Sequence, residues 1–134
     1  MTKVLVVEDH PQWKRRLKDG LAEVVGRRNV HTADNYETAV SMLGLDYSAY
    51  VLDGNFPKRK NGNPEPLGIE FAQAIHQRGV SYDKITMISD DSDTLQQARE
   101  LGITRVYNKL SPNRGKGERD IGTLVDDLRP LLTR

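Results

Sequence analysis

Four short apolar segments, each followed closely by a polar residue, constrain the fold of this chain more than any other feature. The segments are Val4–Val7, Tyr50–Leu52, Ile85–Ile88 and Val106–Tyr107. The polar residues after them are, in the same order, Glu8 and Asp9, then Asp53, Ser89 and Lys109. Short apolar runs of this kind are typical of strands buried on both faces of a parallel sheet. Since the carboxyl ends of parallel strands meet at one edge, where ligands bind, we expect these polar groups to form one site.

Helix-like segments alternate with the strand-like ones, and this order predicts an α/β fold with a mostly parallel sheet. The predicted strands are Lys3–Val7, Val30–Ala33, Ala49–Leu52, Ile85–Ile88 and Arg105–Tyr107. The five predicted helices begin near Pro11, Asp34, Leu67, Ser92 and Arg119, and end near Gly26, Gly44, Arg78, Leu101 and Leu132. These elements fill the 134 residues, so we expect a single domain over residues 1–134.

Capping patterns support two of the helix starts. Asp34, with Glu37 three residues later, resembles a capping box for the second helix. Ser92 or Asp93 is a suitable cap for the fourth helix.

The connection Gly54–Pro66 is long for a compact domain and rich in glycine, proline, asparagine and lysine. Loops of that length are often functional or mobile. The basic run Lys58–Lys60 would steer a phosphorylated partner, although a tolerated surface insertion is the simpler interpretation. Asp53-Gly54 is also a hairpin-turn signal, but Phe56-Pro57-Lys58 does not resume an alternating strand.

Composition excludes several classes of function. The chain has no cysteine, which rules out disulfides, thiolate metal sites and cysteine nucleophiles. Its formal net charge is +1, with acids and bases interspersed, so we expect no nucleic-acid partner. No apolar stretch has the length of a signal-peptide core or a membrane span, so we expect no membrane association and a cytoplasmic location. His10 adjoins the acidic pair, but a chance position at the rim of the site is its simplest interpretation.

The acids at the strand ends suggest a particular chemistry. Carboxylates brought together repel one another, and a hard divalent cation such as Mg²⁺ commonly relieves that repulsion. A carboxylate beside Mg²⁺ can attack a phosphoryl group, with an ammonium and a hydroxyl contacting its oxygens. Each residue alone also has an ordinary structural explanation: Glu8 or Asp9 would complement a helix dipole, Ser89 would cap a helix, and Lys109 would be solvated.

Taken together, these residues resemble a response-regulator receiver domain, the phosphoacceptor module of two-component signalling, and the resemblance covers essentially the whole chain. It is carried by Val4–Asp9, Val51–Pro57, Ile88-Ser89 and Lys109. It implies a flavodoxin-like, doubly wound five-stranded parallel sheet of order 2-1-3-4-5 with five helices. It also implies roles for individual residues: Asp53 as phosphoacceptor, Glu8, Asp9, Asp53 and the backbone carbonyl of Asn55 as Mg²⁺ ligands, Ser89 as the switch hydroxyl and Lys109 as the phosphate contact.

The chain departs from the family pattern around Ser89 and Lys109. Leu110 stands where the family usually has a proline joined by a cis bond, and a cis bond before a non-proline residue costs about 2.5–4 kcal/mol, so we predict a trans bond or a strained cis one. Val106 replaces an aromatic switch residue, and Tyr107 beside it would face the other way. Asp90 replaces a small residue. The candidate modulators of the site are Asn55, Asp90, Asp91, Val106 and Tyr107.

Three functional hypotheses follow. The leading one is a stand-alone receiver that accepts a phosphoryl group from a histidine kinase or histidine phosphotransfer protein, signals to a downstream protein by contact, and has at most slow self-dephosphorylation. The second is a pseudo-receiver that acts as a binding module without phosphorylation. The third, a phosphohydrolase of the haloacid-dehalogenase type, is disfavoured because that family has a second aspartate where this chain has Asn55.

Overall fold

The structure is a computed structural model, and it describes residues 2–110 and 117–133. Its strands are β1 Val4–Val7, β2 Val30–Ala33, β3 Ala49–Asp53, β4 Phe56–Pro57, β5 Pro64–Glu65, β6 Ile85–Ser89, β7 Arg105–Asn108 and β8 Arg119–Asp120. Its α-helices are α1 Pro11–Val25, α2 Tyr36–Ser41, α3 Gly68–Gln77, α4 Ser92–Leu101 and α5 Leu124–Leu132. In the described part of the chain, none of the helices has the length and apolarity that crossing a bilayer requires.

A parallel sheet of six strands, in the order β2-β1-β3-β6-β7-β8, forms the centre of the molecule. The first five strands follow the predicted order 2-1-3-4-5, and the α/β fold class is confirmed. The sixth strand was not predicted, because Arg119–Asp120 is polar and only two residues long. We expected a helix to begin at Arg119, whereas a short 3₁₀ turn follows β8 and α5 begins at Leu124. Pairing with the end of β7 therefore overrides the local sequence pattern.

The sheet is buried on both faces by side chains that alternate along each strand. Leu5, Val7 and Leu52 belong to a core cluster with residues of α2, α3 and α4. Val4, Val6 and Val51 belong to a second cluster with residues of α1 and α5. All four residues of β1 are fully buried, as expected for a central parallel strand. This double covering leaves the carboxyl end of the sheet as the edge where polar side chains collect.

Two helix caps lie one or two residues away from their predicted positions. Asn35, not Asp34, caps α2, since its side chain accepts a hydrogen bond from Thr38 N at 2.8 Å. Asp91, not Ser92 or Asp93, caps α4 by accepting a bond from Asp93 N at 3.0 Å. Asn, Asp and Ser are all good N-caps, so when such residues are adjacent the sequence does not show which of them caps the helix.

The predicted Gly54–Pro66 loop contains a small antiparallel ribbon formed by β4 and β5. Phe56 and Pro57 form a two-residue strand that was not predicted, but they pair with Glu65 and Pro64 and not with β3, so Asp53-Gly54 does not make a hairpin turn, as expected. Phe56 is fully buried and packs against Phe71 of α3. The ribbon is thus anchored in the core through Phe56, whereas residues 58–66, predicted as a surface insertion, are exposed.

The second predicted loop, Leu110–Gly117, lies mostly outside the described residues, since residues 111–116 are not described.

Candidate functional site

The three predicted acids meet at the carboxyl ends of β1 and β3. One carboxylate oxygen each from Glu8, Asp9 and Asp53 lies within 4.8 Å of the others. Glu8 is fully buried and Asp53 is only 6 % exposed, whereas Asp9 is partly exposed. Glu8 is fixed by its backbone, whose N–H donates to Ala33 O at 3.0 Å. The adjacency of β1 and β3 in the sheet brings these distant parts of the sequence together.

The electrostatics of Glu8 show how crowded the acids are. Burial raises the pKa of the Glu8 carboxyl well above its ordinary value, and the nearby Asp53 carboxyl raises it further, while Lys109 opposes both. The buried oxygen Glu8 Oε2 has no hydrogen-bond partner within residues 2–110 and 117–133. Burial and the Asp53 charge also raise the pKa of Asp9. Fully ionised, the three carboxylates would therefore carry more negative charge than Lys109 offsets.

Lys109 is the cation that faces this cluster. Its Nζ donates to Glu8 Oε1 at 2.6 Å and to Asp53 Oδ2 at 3.2 Å. Burial alone would lower the pKa of Lys109, but the Asp53 and Glu8 carboxylates outweigh it and raise that pKa. The ammonium also lies 5.6 Å from the ring centroid of Trp13 on α1. The structure thus joins the ends of β1, β3 and β7 through one lysine.

Ser89 ends β6 beside Asp53 and is buried. Its Oγ accepts a hydrogen bond from Asp91 N at 3.0 Å, which leaves the hydroxyl hydrogen available for donation to a ligand. A Cβ on Gly54 would lie 2.6 Å from Thr94 Cγ2 and 3.2 Å from Ser89 Oγ, so a side chain there would force Thr94 of α4 and Ser89 to shift. Asn55 N is 3.4 Å from Asp53 Oδ1, a long hydrogen bond.

The candidate modulators have different positions. Asp90 and Asp91 are exposed, and the Asp91 side chain is occupied as the α4 cap, where it also accepts a bond from Thr94 Oγ1 at 3.0 Å. Val106 lies fully buried in the core cluster on the α2–α4 side. Tyr107 lies in the opposite cluster, as alternation along the strand predicts.

Tyr107 is held in that position by its hydroxyl, which donates to Asp127 Oδ2 of α5 at 2.6 Å. Burial, together with this hydrogen bond, raises the pKa of Tyr107.

Two residues near Lys109 were not predicted from the sequence. Asn108 and Glu118 are both buried, and Asn108 Nδ2 donates to Glu118 Oε1 at 2.6 Å. An asparagine just before a turn is a recognisable signal, because its side chain often accepts a backbone hydrogen bond two residues on. No local pattern marks Glu118. The trans or strained cis bond predicted between Lys109 and Leu110 stays a prediction.

The oxygen cluster fits a small hard cation. Mg²⁺ prefers carboxylate, carbonyl and water oxygens, and Glu8, Asp9 and Asp53 supply three converging carboxylates. Glu8 Oε2, which has no hydrogen-bond partner among the described residues, is a buried acceptor of the kind that such an ion would satisfy. Among the described residues, His10 is not part of this group; it is exposed and precedes α1. A polar groove beside Asp9 is lined by Asp34, Pro57, Asn61 and Gly62, so the ribbon borders the site.

Comparison with solved structures shows what this arrangement is similar to. A response regulator receiver protein from Pseudoalteromonas atlantica aligns with a TM-score of 0.70 and 14 % identity, covering 96 % of this chain and 94 % of that chain. The phosphorylated cyanobacterial phytochrome response regulator RcpA aligns with a TM-score of 0.67 and 16 % identity, over 97 % and 90 % of the two chains. The response regulator TrrA from Thermotoga maritima, in complex with Mg²⁺ and BeF, aligns with a TM-score of 0.65 and 22 % identity, over 98 % and 100 %.

No family model matches the sequence, and no curated protein is significantly similar to it. Identities of this size establish a shared fold and leave the roles of individual residues open. The similarity nevertheless extends over nearly the whole chain in each case. The chain therefore has the fold of response-regulator receiver domains.

Proposed function

We propose that this protein is a receiver that accepts a phosphoryl group on Asp53 from a phosphohistidine of a histidine kinase or phosphotransfer protein. It passes the signal on by binding a downstream protein. The observation that carries the proposal is the convergence of Glu8, Asp9 and Asp53 with Lys109 at the ends of neighbouring strands. One domain over residues 1–134 and a cytoplasmic location are parts of the same proposal that rest on the sequence alone.

The transfer would proceed by attack of an Asp53 carboxylate oxygen on phosphorus. The O–P bond forms as the N–P bond of the donor phosphohistidine breaks, and the imidazole leaves. Lys109, already 3.2 Å from Asp53, supplies a positive charge to the phosphoryl oxygens, and the Ser89 hydroxyl donates a hydrogen bond to one of them. A fold of this kind points to a signalling domain rather than to an enzyme with rapid turnover.

Glu8, Asp9 and Asp53, with the backbone carbonyl of Asn55, would hold Mg²⁺. When bound, the ion supplies neutralising charge for the transferring oxygens. The complex of the Thermotoga neighbour with Mg²⁺ and BeF supports this choice of metal. Lys109 partly neutralises the same carboxylates in the structure, which is consistent with a site built to carry excess negative charge.

The experiment that tests the proposal is phosphorylation by a small donor such as phosphoramidate in Mg²⁺, followed by intact mass. We expect the wild-type protein and an Asp46→Asn control, altered at an exposed acid, to gain one phosphoryl group. We expect the Asp53→Asn variant, and the wild-type protein in EDTA, to gain none. An adduct that persists in Asp53→Asn would show that the phosphoacceptor is assigned wrongly.

A second function is favoured by one observation. Val106 is aliphatic and packed in the core, and the Tyr107 hydroxyl is tied to Asp127, so neither residue is placed to swing toward Ser89. A binding module that does not depend on phosphorylation would need no such movement. Partner binding that is unchanged by phosphorylation, or by Asp53→Asn, would support this second function over the first.

A further inference from the structure

The turn that carries Lys109 is held by the side chain of the preceding residue, Asn108. Asn108 ends β7 and is 1 % exposed. Its Oδ1 accepts a hydrogen bond from Leu110 N at 2.8 Å, so its amide spans the backbone of Lys109. The Lys109 N–H itself donates to Ser89 O at 2.9 Å. The backbone on both sides of the lysine is therefore fixed by neighbouring groups.

Glu118 holds the nitrogen of the Asn108 side-chain amide. Asn108 Nδ2 donates to Glu118 Oε1 at 2.6 Å, a short bond of the kind that a charged acceptor makes. Glu118 is only 7 % exposed, and it lies between Gly117, whose φ is +84°, and β8. The left-handed conformation at Gly117 and the pairing of β8 with β7 both fix where Glu118 stands.

The position of this turn matters because the lysine ammonium is buried among carboxylates. A lysine has a flexible four-carbon stem, so its backbone must be well placed for its ammonium to stay at a chosen point. Here Nζ contacts both Glu8 and Asp53, on two other strands. A displacement of about 1 Å in a group that contacts the reacting atoms can lower a rate by about 100-fold.

We propose that Asn108, oriented by Glu118, is a positioning residue that fixes the turn at Lys109 and thereby aims its ammonium at Asp53. Its effect on phosphoryl transfer rests on the proposed function, whereas its effect on the position of Lys109 does not. The amide acts through the lysine, since its own hydrogen bonds are to Leu110 N and Glu118.

Trp13 provides a readout that does not depend on phosphorylation. It is the only tryptophan, and the Lys109 ammonium lies 5.6 Å from its ring centroid. We expect Lys109→Met to shift the emission of the metal-free protein, and Asn108→Ala to shift it in the same direction. In the double variant, Asn108→Ala should add no further shift to that of Lys109→Met. The matched control is Asn29→Ala, which removes an asparagine amide bond to Val25 O away from the site and should leave the emission unchanged.

Phosphorylation by a small donor is the second readout. We expect Asn108→Ala to slow adduct formation about 10- to 100-fold, and to have no effect in the Lys109→Met background. Glu118→Gln, which keeps an oxygen acceptor for Asn108, should stay within a few-fold of wild type, while Glu118→Ala should match Asn108→Ala. Circular dichroism and urea unfolding of each variant establish that it is folded, and the Glu118 pair provides the same test should Asn108→Ala not fold.

The outcomes separate the two proposals. Unchanged Trp13 emission in folded Asn108→Ala and Glu118→Ala would overturn the positioning role, as would equal slowing by Asn108→Ala with and without Lys109. A wild-type protein that forms no adduct would overturn the proposed function. The emission measurements would still confirm or refute the placement of Lys109 by Asn108 in that case.

Discussion

At the scale of single residues, the described part of the site brings three carboxyl groups together with the ammonium of Lys109. Glu8 is fully buried, and its carboxyl faces both Asp53 and Lys109. Burying an ionised carboxylate without a partner is so costly that the group usually takes up a proton instead. Lys109 offsets part of the negative charge of the metal-free cluster and donates to Glu8 and Asp53, so its removal should lower stability as well as function.

We expect Lys109→Met to lower the free energy of unfolding of the metal-free protein by about 1–3 kcal/mol, the cost of leaving a buried polar group unsatisfied. Breaking a buried ion pair can cost about 3–5 kcal/mol. Protonation of Glu8, whose pKa is already raised, limits the loss here. Urea unfolding measures it, with the exposed Lys60→Met as control. A loss no larger than that of the control would contradict this description of the cluster.

Gly68 marks a close approach of two backbones at the base of the ribbon. A Cβ there would lie 2.4 Å from Asp53 O and 2.7 Å from Gly54 Cα, and backbone atoms cannot move aside easily. We expect Gly68→Ala to destabilise the protein by about 1–3 kcal/mol or more. Gly44→Ala is the control, since nothing lies within 4 Å of its Cβ position. Thermal melting of both variants checks this, and equal melting temperatures would show that the approach is looser than described.

At the scale of elements, the sequence predicted the strands and helices that depend on local residue patterns. It did not predict those whose conformation is determined by contacts between distant residues. The strand ends at Glu8, Asp53 and Ser89 could be located because apolar runs stop there. Strand β8 could not, since only its pairing with β7 gives Arg119–Asp120 an extended conformation. The ribbon was missed for a similar reason: Phe56 is held by packing against α3, not by alternation along the chain.

The bond between Tyr107 and Asp127 joins β7 to α5. Burial alone would raise the pKa of Asp127, but hydrogen bonds from Tyr107, Thr123 and Arg119 outweigh it and lower that pKa. A group whose pKa is lowered in the folded state stabilises the protein above its unfolded pKa of about 3.9. That stabilisation is lost as the pH falls through the folded pKa.

We therefore expect Tyr107→Phe to cost about 1.5–3 kcal/mol near neutral pH, the usual range for a hydrogen bond to a charged group. The difference from wild type should shrink as the pH falls below about 4. Urea unfolding across this pH range tests the expectation, with Tyr36→Phe, at a ring that packs against Phe71, as the control. A difference that does not change with pH would show that the lost stability comes from packing and not from the hydrogen bond to Asp127.

At the scale of the whole molecule, the doubly wound sheet makes residues that are far apart in sequence meet at one edge. Glu8 and Lys109 are 101 residues apart and in direct contact. The predicted strand order was enough to bring the acids and the lysine together. It was not enough to find Asn108 and Glu118, whose contact depends on where the chain returns to the sheet after the turn.

Mg²⁺ should stabilise the whole fold, because an ion that binds only the folded state shifts the unfolding equilibrium. At 100 times its dissociation constant, a ligand adds about 2.7 kcal/mol. We expect the melting temperature of the wild-type protein and of Asp46→Asn to rise with Mg²⁺, and Trp13 emission to change with it. Asp9→Asn should show neither effect. An equal rise in the melting temperature of Asp9→Asn would show that Asp9 is not a ligand of the ion.

Phosphoryl acceptance by Asp53 is tested most directly by locating the phosphoryl group along the chain. The protein is phosphorylated by a small donor in Mg²⁺, the acyl phosphate is trapped by borohydride reduction, and the peptides are mapped by mass spectrometry. We predict a single reduced residue at Asp53, absent when Mg²⁺ is omitted. Modification at Glu8, Asp9 or another residue, or none at Asp53 in a fully folded, Mg²⁺-loaded protein, would contradict it.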